Sequence, residues 1–186
     1  MDSFCEQIVK KIKGGKEWAI IIGTILLALS LAFLAVLFGQ YISGLLIFIL
    51  VGIGYGAWWL ITTQNVEYEY CVTNGDIDVD KITARRKRKR LVSVAGRKIE
   101  SLLPYDPTAP LGKYQRTVMV APTLSTDGLW CFTYHSKKNG HTFVVFHPDQ
   151  RVLCALYDGL PKLVQMDTAR AARELGVELK MSKNED

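Results

Sequence analysis

A dense run of basic residues is the part of this sequence best suited to binding chemistry. Seven Lys and Arg residues and no acidic residue lie between Lys81 and Arg90, and six of them are contiguous: Arg85, Arg86, Lys87, Arg88, Lys89 and Arg90. The 186-residue chain has a formal net charge of +5, so the chain outside this run carries −2. The basic character is therefore local, and it indicates a local anionic partner or a solvated strand.

Three kinds of partner are compatible with the basic run. Anionic lipid is one, because basic residues beside a membrane anchor gain about 1 kcal/mol each near acidic headgroups. An acidic protein, or pairing with the chain's own acidic residues on neighbouring predicted strands, is the second; those residues are Glu67, Glu69, Asp76, Asp78 and Asp80. Nucleic acid is disfavoured, because no aromatic residue is interleaved with the run.

No pattern indicates catalysis, a cofactor or a metal, so we expect a binding module rather than an enzyme. The aspartates from Asp76 to Asp80 resemble the start of a calcium loop, but Lys81 and Lys87 stand where that loop needs glycine and glutamate. The three histidines do not have the spacing of zinc ligands, and no nucleotide-binding or hydrolase motif occurs. The four cysteines are scattered, without a C-x-x-C pair, which is typical of reduced thiols.

Two apolar segments must position the basic run. Every residue from Trp18 to Val66 is uncharged, which excludes a plain soluble enzyme, a disordered chain and a small disulfide-rich secreted protein. Residues 18–38 and 45–61 are long enough to cross a bilayer as helices, and a short uncharged turn joins them. A cleavable signal peptide is disfavoured, because a second span follows the first.

The positive-inside rule gives the expected orientation of these spans. Four lysines precede the first span, the connecting turn is uncharged, and the basic run follows the second span. The sequence therefore predicts a multi-pass protein of the cell membrane with two spans and with both termini in the cytoplasm.

Small residues recur at four-residue spacing on both spans, as Ala28 and Ala32 on the first and Gly52 and Gly56 on the second. Such residues let helix backbones approach closely. Packing within the hairpin is the favoured interpretation. Association with other chains is the alternative, and it would make the protein an oligomer or a structural or accessory subunit of a larger membrane complex.

The pattern divides the chain into four parts. Residues 1–16 are predicted to form an amphipathic interfacial helix, because Ser3 and Glu6 have capping-box spacing and Phe4, Ile8 and Ile12 share a helical face. Residues 17–62 form the transmembrane hairpin, residues 64–163 a cytoplasmic β domain with a capping helix, and residues 164–186 a helical or frayed extension.

The predicted β domain begins where the pattern changes from continuous to alternating apolar residues. A strand over 66–72 is followed by Asn74-Gly75, a strong hairpin signal. Further strands are predicted at 88–94, 115–121, 129–135 and 141–147, and a helix begins at Pro148-Asp149. Antiparallel strands closed by a C-terminal helix are typical of a pleckstrin-homology-like (PH-like) barrel or sheet, so we expect an α+β membrane protein.

Several segments together resemble a family of uncharacterised bacterial two-span membrane proteins. The resemblance covers roughly residues 1–163, and it rests on 65–70, 73–82, 86–90, Pro104-Tyr105-Asp106-Pro107 and Phe146-His147-Pro148. It implies the two-span topology and a cytoplasmic PH-like module, and it transfers no activity, because the family is a domain of unknown function. We therefore expect a membrane-anchored binding or scaffold module that contacts anionic lipid headgroups or an acidic partner through Arg85 to Arg90.

Overall fold

The computed structural model describes residues 4–41, 44–108, 112–122, 128–177 and 179. Within these residues the chain forms two four-stranded sheets and four α-helices. The elements are, in chain order, β1 (Phe4–Lys10), α1 (Gly15–Leu37), α2 (Leu46–Thr63), β2 (Val66–Thr73), β3 (Asp76–Thr83), β4 (Lys87–Val94), β5 (Ile99–Pro104), β6 (Arg116–Met119), β7 (Trp130–Ser136), β8 (Gly140–Phe146), α3 (Gln150–Asp158) and α4 (Lys162–Glu174).

The first sheet has the order β1-β2-β3-β4, and every neighbouring pair is antiparallel. Its central hairpin is the one predicted from Asn74 and Gly75, which both adopt the left-handed backbone, with φ of 51° and 82°, between β2 and β3. Tyr70 and Val79 are fully buried on the inner face, whereas the carboxylates of Asp78 and Asp80 lie on the outer face with Glu69. The predicted alternation of β2 and β3 is therefore confirmed.

The N-terminal segment is a strand, so the interfacial helix predicted for residues 1–16 is wrong. β1 pairs with β2 along its whole length, from Phe4 opposite Thr73 to Lys10 opposite Glu67. Cys5 and Val9 pack against the core, and the exposed residues of β1 alternate with the half-buried ones, which is the two-residue period of a strand. A segment this short fits both the period of a helix and the period of a strand. It forms a strand because β2 has an unpaired edge to which it can hydrogen-bond. Ser3, the expected helix cap, lies outside the described residues.

The two apolar helices are inserted in the connection between β1 and β2. Each is long and apolar enough to cross a membrane by length and composition. The backbone N–H of Lys11 donates to the carbonyl of Val66 at 2.9 Å, so the chain enters and leaves the hairpin at adjacent points. Both ends of the helical hairpin are therefore fixed at the same end of the paired strands β1 and β2.

The helices of the hairpin contact each other through a regular side of each. The less exposed positions recur every three or four residues, at Ile21, Thr24, Ala28, Ala32 and Ala35 in α1 and at Leu46, Leu50, Ile53 and Ala57 in α2. Ala28 and Ala32 belong to this side. A Cβ atom added at Gly52 or Gly56 would meet nothing within 4 Å, so these glycines do not mark a close approach between the two helices.

The second sheet has the order β5-β7-β8-β6, and it departs from the expected antiparallel layout. β7 is antiparallel to both β5 and β8, but β6 pairs parallel with β8, with Arg116 opposite Thr142 and Met119 opposite Val145. The reason is the connection after β5, which carries the chain to the far edge of β8 without reversing it. Parallel neighbours need such a crossover rather than a tight turn.

One cluster of buried residues joins both sheets and both C-terminal helices. Its largest members include Tyr70, Phe132, Phe146 and Leu156. The helix predicted at Pro148-Asp149 is confirmed as α3, because the Asp149 carboxylate caps it by accepting from the N–H of Val152 at 2.8 Å. The segment predicted as a helical or frayed extension, residues 164–186, overlaps α4, which packs against β5, and residues 178 and 180–186 of that segment lie outside the described residues.

Candidate functional site

The structure divides the basic run into three parts, of which the first, Arg88 and Arg90, is paired internally on the outer face of β4. The Arg88 guanidinium contacts the carboxylates of Glu69 and Asp80. Arg90 bridges the carboxylates of Asp80 and Asp78, at 3.0 Å from each. Three strands are thereby joined by one chain of alternating charges.

The internal network accounts for two carboxylates that are unusually covered. Glu69 and Asp80 are each only 6% exposed. Burial raises the pKa of the Glu69 carboxyl, and the positive charge of Arg88 opposes that rise. Buried carboxylates need a charged or hydrogen-bonding partner. Arg88 and Arg90 therefore compensate the buried carboxylates of this face, which leaves these two arginines less available to an external anion.

The second part of the run lies in the turn between β3 and β4. Ala84 and Arg85 both have left-handed backbone, with φ of 53° and 56°, and the N–H of Arg86 donates to the Thr83 carbonyl at 3.0 Å. This is the geometry of a tight hairpin turn. The N–H of Ala84 also donates to the carbonyl of Asn65 at 2.8 Å, which fixes the turn to the segment that follows α2.

Arg85 and Arg86 differ in what they contact. The Arg85 side chain is 3.6 Å from the carboxylate of Glu67. The Arg86 guanidinium lies 4.8 Å from the centre of the Trp58 ring and donates to the hydroxyl of Thr62 at 3.2 Å, and both of these partners are uncharged residues of the last turns of α2. A cation over an indole ring is attracted to its face. Arg86 is therefore held in place without being neutralised.

Arg85 and Arg86 line a cavity of about 580 Å³ at the base of the helical hairpin. We call it the basic cavity and define it by six of its lining residues. They are Lys10, Lys11 and Lys13, at the end of β1 and just after it, Trp58 near the end of α2, and Arg85 and Arg86 in the β3–β4 turn. Glu67 also lines it, so the formal charge of the lining residues is +4. Such a concentration of one sign of charge attracts anions.

The lysines of the basic cavity are the site residues that sequence reasoning missed. In the sequence these lysines indicate only the orientation of the spans, because a helix over residues 1–16 does not place them beside the β3–β4 turn. Lys11 pairs with Glu17 at 2.5 Å. In the described part of the chain, Lys10 and Lys13 have no carboxylate within ion-pair distance. The excess of lysine before the first span is the feature of the sequence that could have indicated these site residues.

The remaining members of the predicted site stay apart from the basic cavity. Lys87 and Lys89 are exposed on β4, and among the described residues neither has a carboxylate within ion-pair distance. The run Arg85 to Arg90 is thus not one surface. It contributes two residues to the cavity, two to the internal network and two to solvent.

The histidines and cysteines form no metal site in the part of the chain that the structure describes, where no group of three or more ligands is arranged for an ion. His135 and His141 face each other across β7 and β8, with ring centres 4.8 Å apart. All four cysteines are free thiols. Burial raises the pKa of the Cys131 thiol to about 11, which keeps it protonated at neutral pH.

These features define an α+β protein of the PH-like class, with a pair of apolar helices inserted after its first strand. The chain belongs to the family described as bacterial PH-like domain (DUF6106), a domain of unknown function whose model matches residues 1–166. The resemblance seen in the sequence is therefore confirmed. Neither the curated proteins nor the solved structures contain a match to the chain.

Proposed function

We propose that this protein is a membrane-anchored binding module whose basic cavity contacts anionic groups at the cytoplasmic surface of the bilayer. The observation that carries the proposal is the insertion of α1 and α2 between two paired strands. Because both ends of the helical hairpin are fixed at the same end of the paired strands β1 and β2, the domain stays at the base of its anchor. The PH-like family is one of unknown function, so the proposal rests on this geometry.

The position of the charges supports cytoplasmic termini. The lysines that precede α1 and the arginines of the β3–β4 turn meet at the same end of the hairpin. The positive-inside rule assigns such an end to the cytoplasm. Trp58 at this end is exposed, as expected of an aromatic residue at the level of the headgroups.

The mechanism is electrostatic and positional, without a covalent step. Each cation near an anionic surface contributes about 1 kcal/mol at low salt. The anchor keeps the cavity beside the membrane, so a contact that is weak in solution is populated because of its high effective concentration. The network of Arg88 and Arg90 pairs these two arginines with carboxylates of the same sheet, so they attract an external anion less than the cations of the cavity do.

Anchoring and orientation can be tested in membrane vesicles. We expect the full chain to remain in the membrane after alkaline carbonate extraction. Trypsin should cut the domain in inside-out vesicles and leave it intact in right-side-out vesicles. Release by carbonate, or cleavage in right-side-out vesicles alone, contradicts the proposal.

The anionic contact can be tested by hydrogen exchange of the full chain in nanodiscs. We expect the β3–β4 turn to exchange more slowly in nanodiscs with anionic lipid than in pure phosphatidylcholine, and we expect high salt to remove the difference. Changing Lys10, Lys13 and Arg86 to Glu should abolish it. A matched change of the exposed residues Arg97, Lys137 and Lys138 should leave it intact. Equal exchange in both lipids rejects the contact.

A second candidate is a structural or accessory subunit of a larger membrane complex. The observation that favours it is the open surface around Gly52 and Gly56, where an added Cβ atom would meet nothing within 4 Å. A neighbouring helix could approach closely there. If so, Gly52→Leu should disrupt an assembly that crosslinking detects in the membrane, whereas Gly23→Leu, an equally open position on α1, should not.

A further inference from the structure

We infer that the basic cavity is a site for a single phosphate group, supplied by the headgroup of an anionic phospholipid, and that Arg86 is the residue that anchors it. The inference rests on the proposed function and goes further, because it assigns a ligand class, a stoichiometry and a central residue. A diffuse electrostatic contact requires none of these.

The pairing of charges around the cavity selects which cations face a ligand. Glu67 partly neutralises Arg85, and Glu17 pairs with Lys11. Three cations remain that have no carboxylate within ion-pair distance in the described part of the chain: Lys10, Lys13 and Arg86. A phosphate carries one or two negative charges with several acceptor oxygens, so three cations that line one cavity match its charge and its need for donors.

Arg86 is prepared to bind an oxyanion before any ligand arrives. Its guanidinium lies over the Trp58 ring, 4.8 Å from the ring centre, and among the described residues only one of its N–H groups donates a hydrogen bond, to Thr62. A guanidinium has five N–H donors in a planar fork, so four of them remain for a ligand. The neighbouring Arg88 and Arg90 lack this freedom, because carboxylates already hold them.

The location of the cavity selects a lipid phosphate as the source. Trp58 and Thr62 belong to the end of α2, so the cavity opens where an inserted hairpin leaves the hydrocarbon core. Its volume of about 580 Å³ is within the range of small-molecule sites. By contrast, a second cavity of about 510 Å³, at the β2–β3 turn, is lined by Asp76 and Asp78 and would repel a phosphate.

The test uses the full chain in phosphatidylcholine nanodiscs that also contain either phosphatidic acid or oleic acid at equal surface charge. Lipids retained by each released chain are counted by native mass spectrometry. We expect one retained phosphatidic acid per chain at saturation and no retained oleic acid. In Arg86→Lys, which conserves the charge but not the fork, retention should weaken about ten-fold. Arg97→Lys, at an exposed arginine of another loop, should behave as the unmodified chain.

A second arm distinguishes the source of the phosphate. Glycerol 3-phosphate is titrated onto the chain in pure phosphatidylcholine nanodiscs and followed by ³¹P line broadening. Retained phosphatidic acid with no binding of glycerol 3-phosphate supports the lipid as the source. Binding of glycerol 3-phosphate that depends on Arg86 keeps the phosphate site and reassigns its source to a soluble ester.

Two other outcomes overturn the inference and separate it from the proposed function. Equal retention of phosphatidic acid and oleic acid, unchanged in Arg86→Lys, leaves a diffuse electrostatic contact and no phosphate site. No response of the chain to either anionic lipid, in retention or in hydrogen exchange, rejects both the inference and the proposed contact.

Discussion

The backbone N–H of Lys11 donates to the carbonyl of Val66 at 2.9 Å, across the entire helical hairpin that separates them in sequence. This hydrogen bond closes the β1–β2 ladder, in which Lys10 lies opposite Glu67. The apolar helices are therefore an insertion into a β-hairpin, and the PH-like domain is continuous across them. Strands β1 and β2 belong to the same sheet although the helices separate them in sequence, so a fragment that lacks either strand lacks part of that sheet.

Removing the insertion should give a soluble domain. Replacing residues 12–65 by Asn-Gly joins Lys11 to Val66 through a two-residue turn of the type that antiparallel strands prefer. We expect a folded monomer with a dispersed NMR spectrum. The fragment 64–186 lacks β1 and exposes the edge of β2, so it should aggregate or melt at a lower temperature. Equal stability of the two proteins would show that β1 does not contribute to the fold.

The ion pair of Glu69 and Arg88 should be strongly coupled. Arg88→Met leaves a buried carboxylate without its cation, and we expect it to lower the free energy of unfolding by about 1–3 kcal/mol at pH 7. In a Glu69→Gln background the same change should cost less, because no charge is stranded. Thermal unfolding of the four variants in nanodiscs gives the coupling energy, and additive effects would argue against the pair.

Glu69 should also impose a slope on stability against pH. Burial raises its folded-state pKa above the ordinary value of 4.5, so the folded protein holds this proton more tightly than the unfolded chain does. This carboxyl therefore lowers the free energy of unfolding as pH rises from 4.5 through its folded pKa, and it adds no further slope above. Among the charged neighbours of this carboxyl, Arg88 opposes the rise of its pKa and Glu6 adds to it. Unfolding measured between pH 4 and 7 should show a smaller decline in Glu69→Gln than in the unmodified chain.

Gly159 should not tolerate a methyl group. A Cβ atom there would lie 2.4 Å from Cα of Gly75, because the end of α3 packs directly on the β2–β3 turn. The φ of Gly159 is −87°, so the cost arises from packing rather than from backbone strain. We expect Gly159→Ala to destabilise the domain by about 2 kcal/mol or more, measured by chemical unfolding. Gly15→Ala, which meets nothing within 4 Å, is the matched control and should be neutral or slightly stabilising.

Thr168 should hold α4 on the second sheet. Its hydroxyl is fully buried and lies 2.8 Å from the Leu102 carbonyl of β5 and 2.7 Å from the Val164 carbonyl. Thr168→Val keeps the shape but leaves the Leu102 carbonyl without this donor, and we expect a loss of about 1–2 kcal/mol in the free energy of unfolding. Thr117→Val, at an exposed position of β6, is the control. Equal effects of the two substitutions would remove the role assigned to Thr168.

The candidate site was only partly visible in the sequence. The run Arg85 to Arg90 is evident from composition, and its possible pairing with the acidic strand residues follows from alternation. Which cations pair and which remain open depends on the register of β3 and β4, which shifts between Val79 and Asp80. That register places Arg88 and Arg90 beside carboxylates and leaves Arg86 in the turn, and no count of charges along the chain contains this information.

Local patterns by themselves determined several elements of this protein. Continuous apolar composition located both helices of the hairpin, the Asn74-Gly75 pair located the central β-turn, and Asp149 located the start of α3. Each of these depends on residues that are neighbours in the chain. Turn geometry, helix capping and the cost of placing charge in an apolar span act over a few residues, so these elements can be predicted from the local sequence.

Only the tertiary structure decided the contacts between distant segments. The N-terminal residues are a strand because β2 offers them an open edge, and β6 is parallel because the preceding connection crosses the sheet. The pairing of β1 with β2 places Lys10, at the end of β1, and Lys13, just after it, in the same cavity as Arg86, which lies far along the chain. A strand's partner is set by which hydrogen-bonding edge remains unpaired after the rest of the domain has packed, and that property belongs to the fold rather than to any local segment.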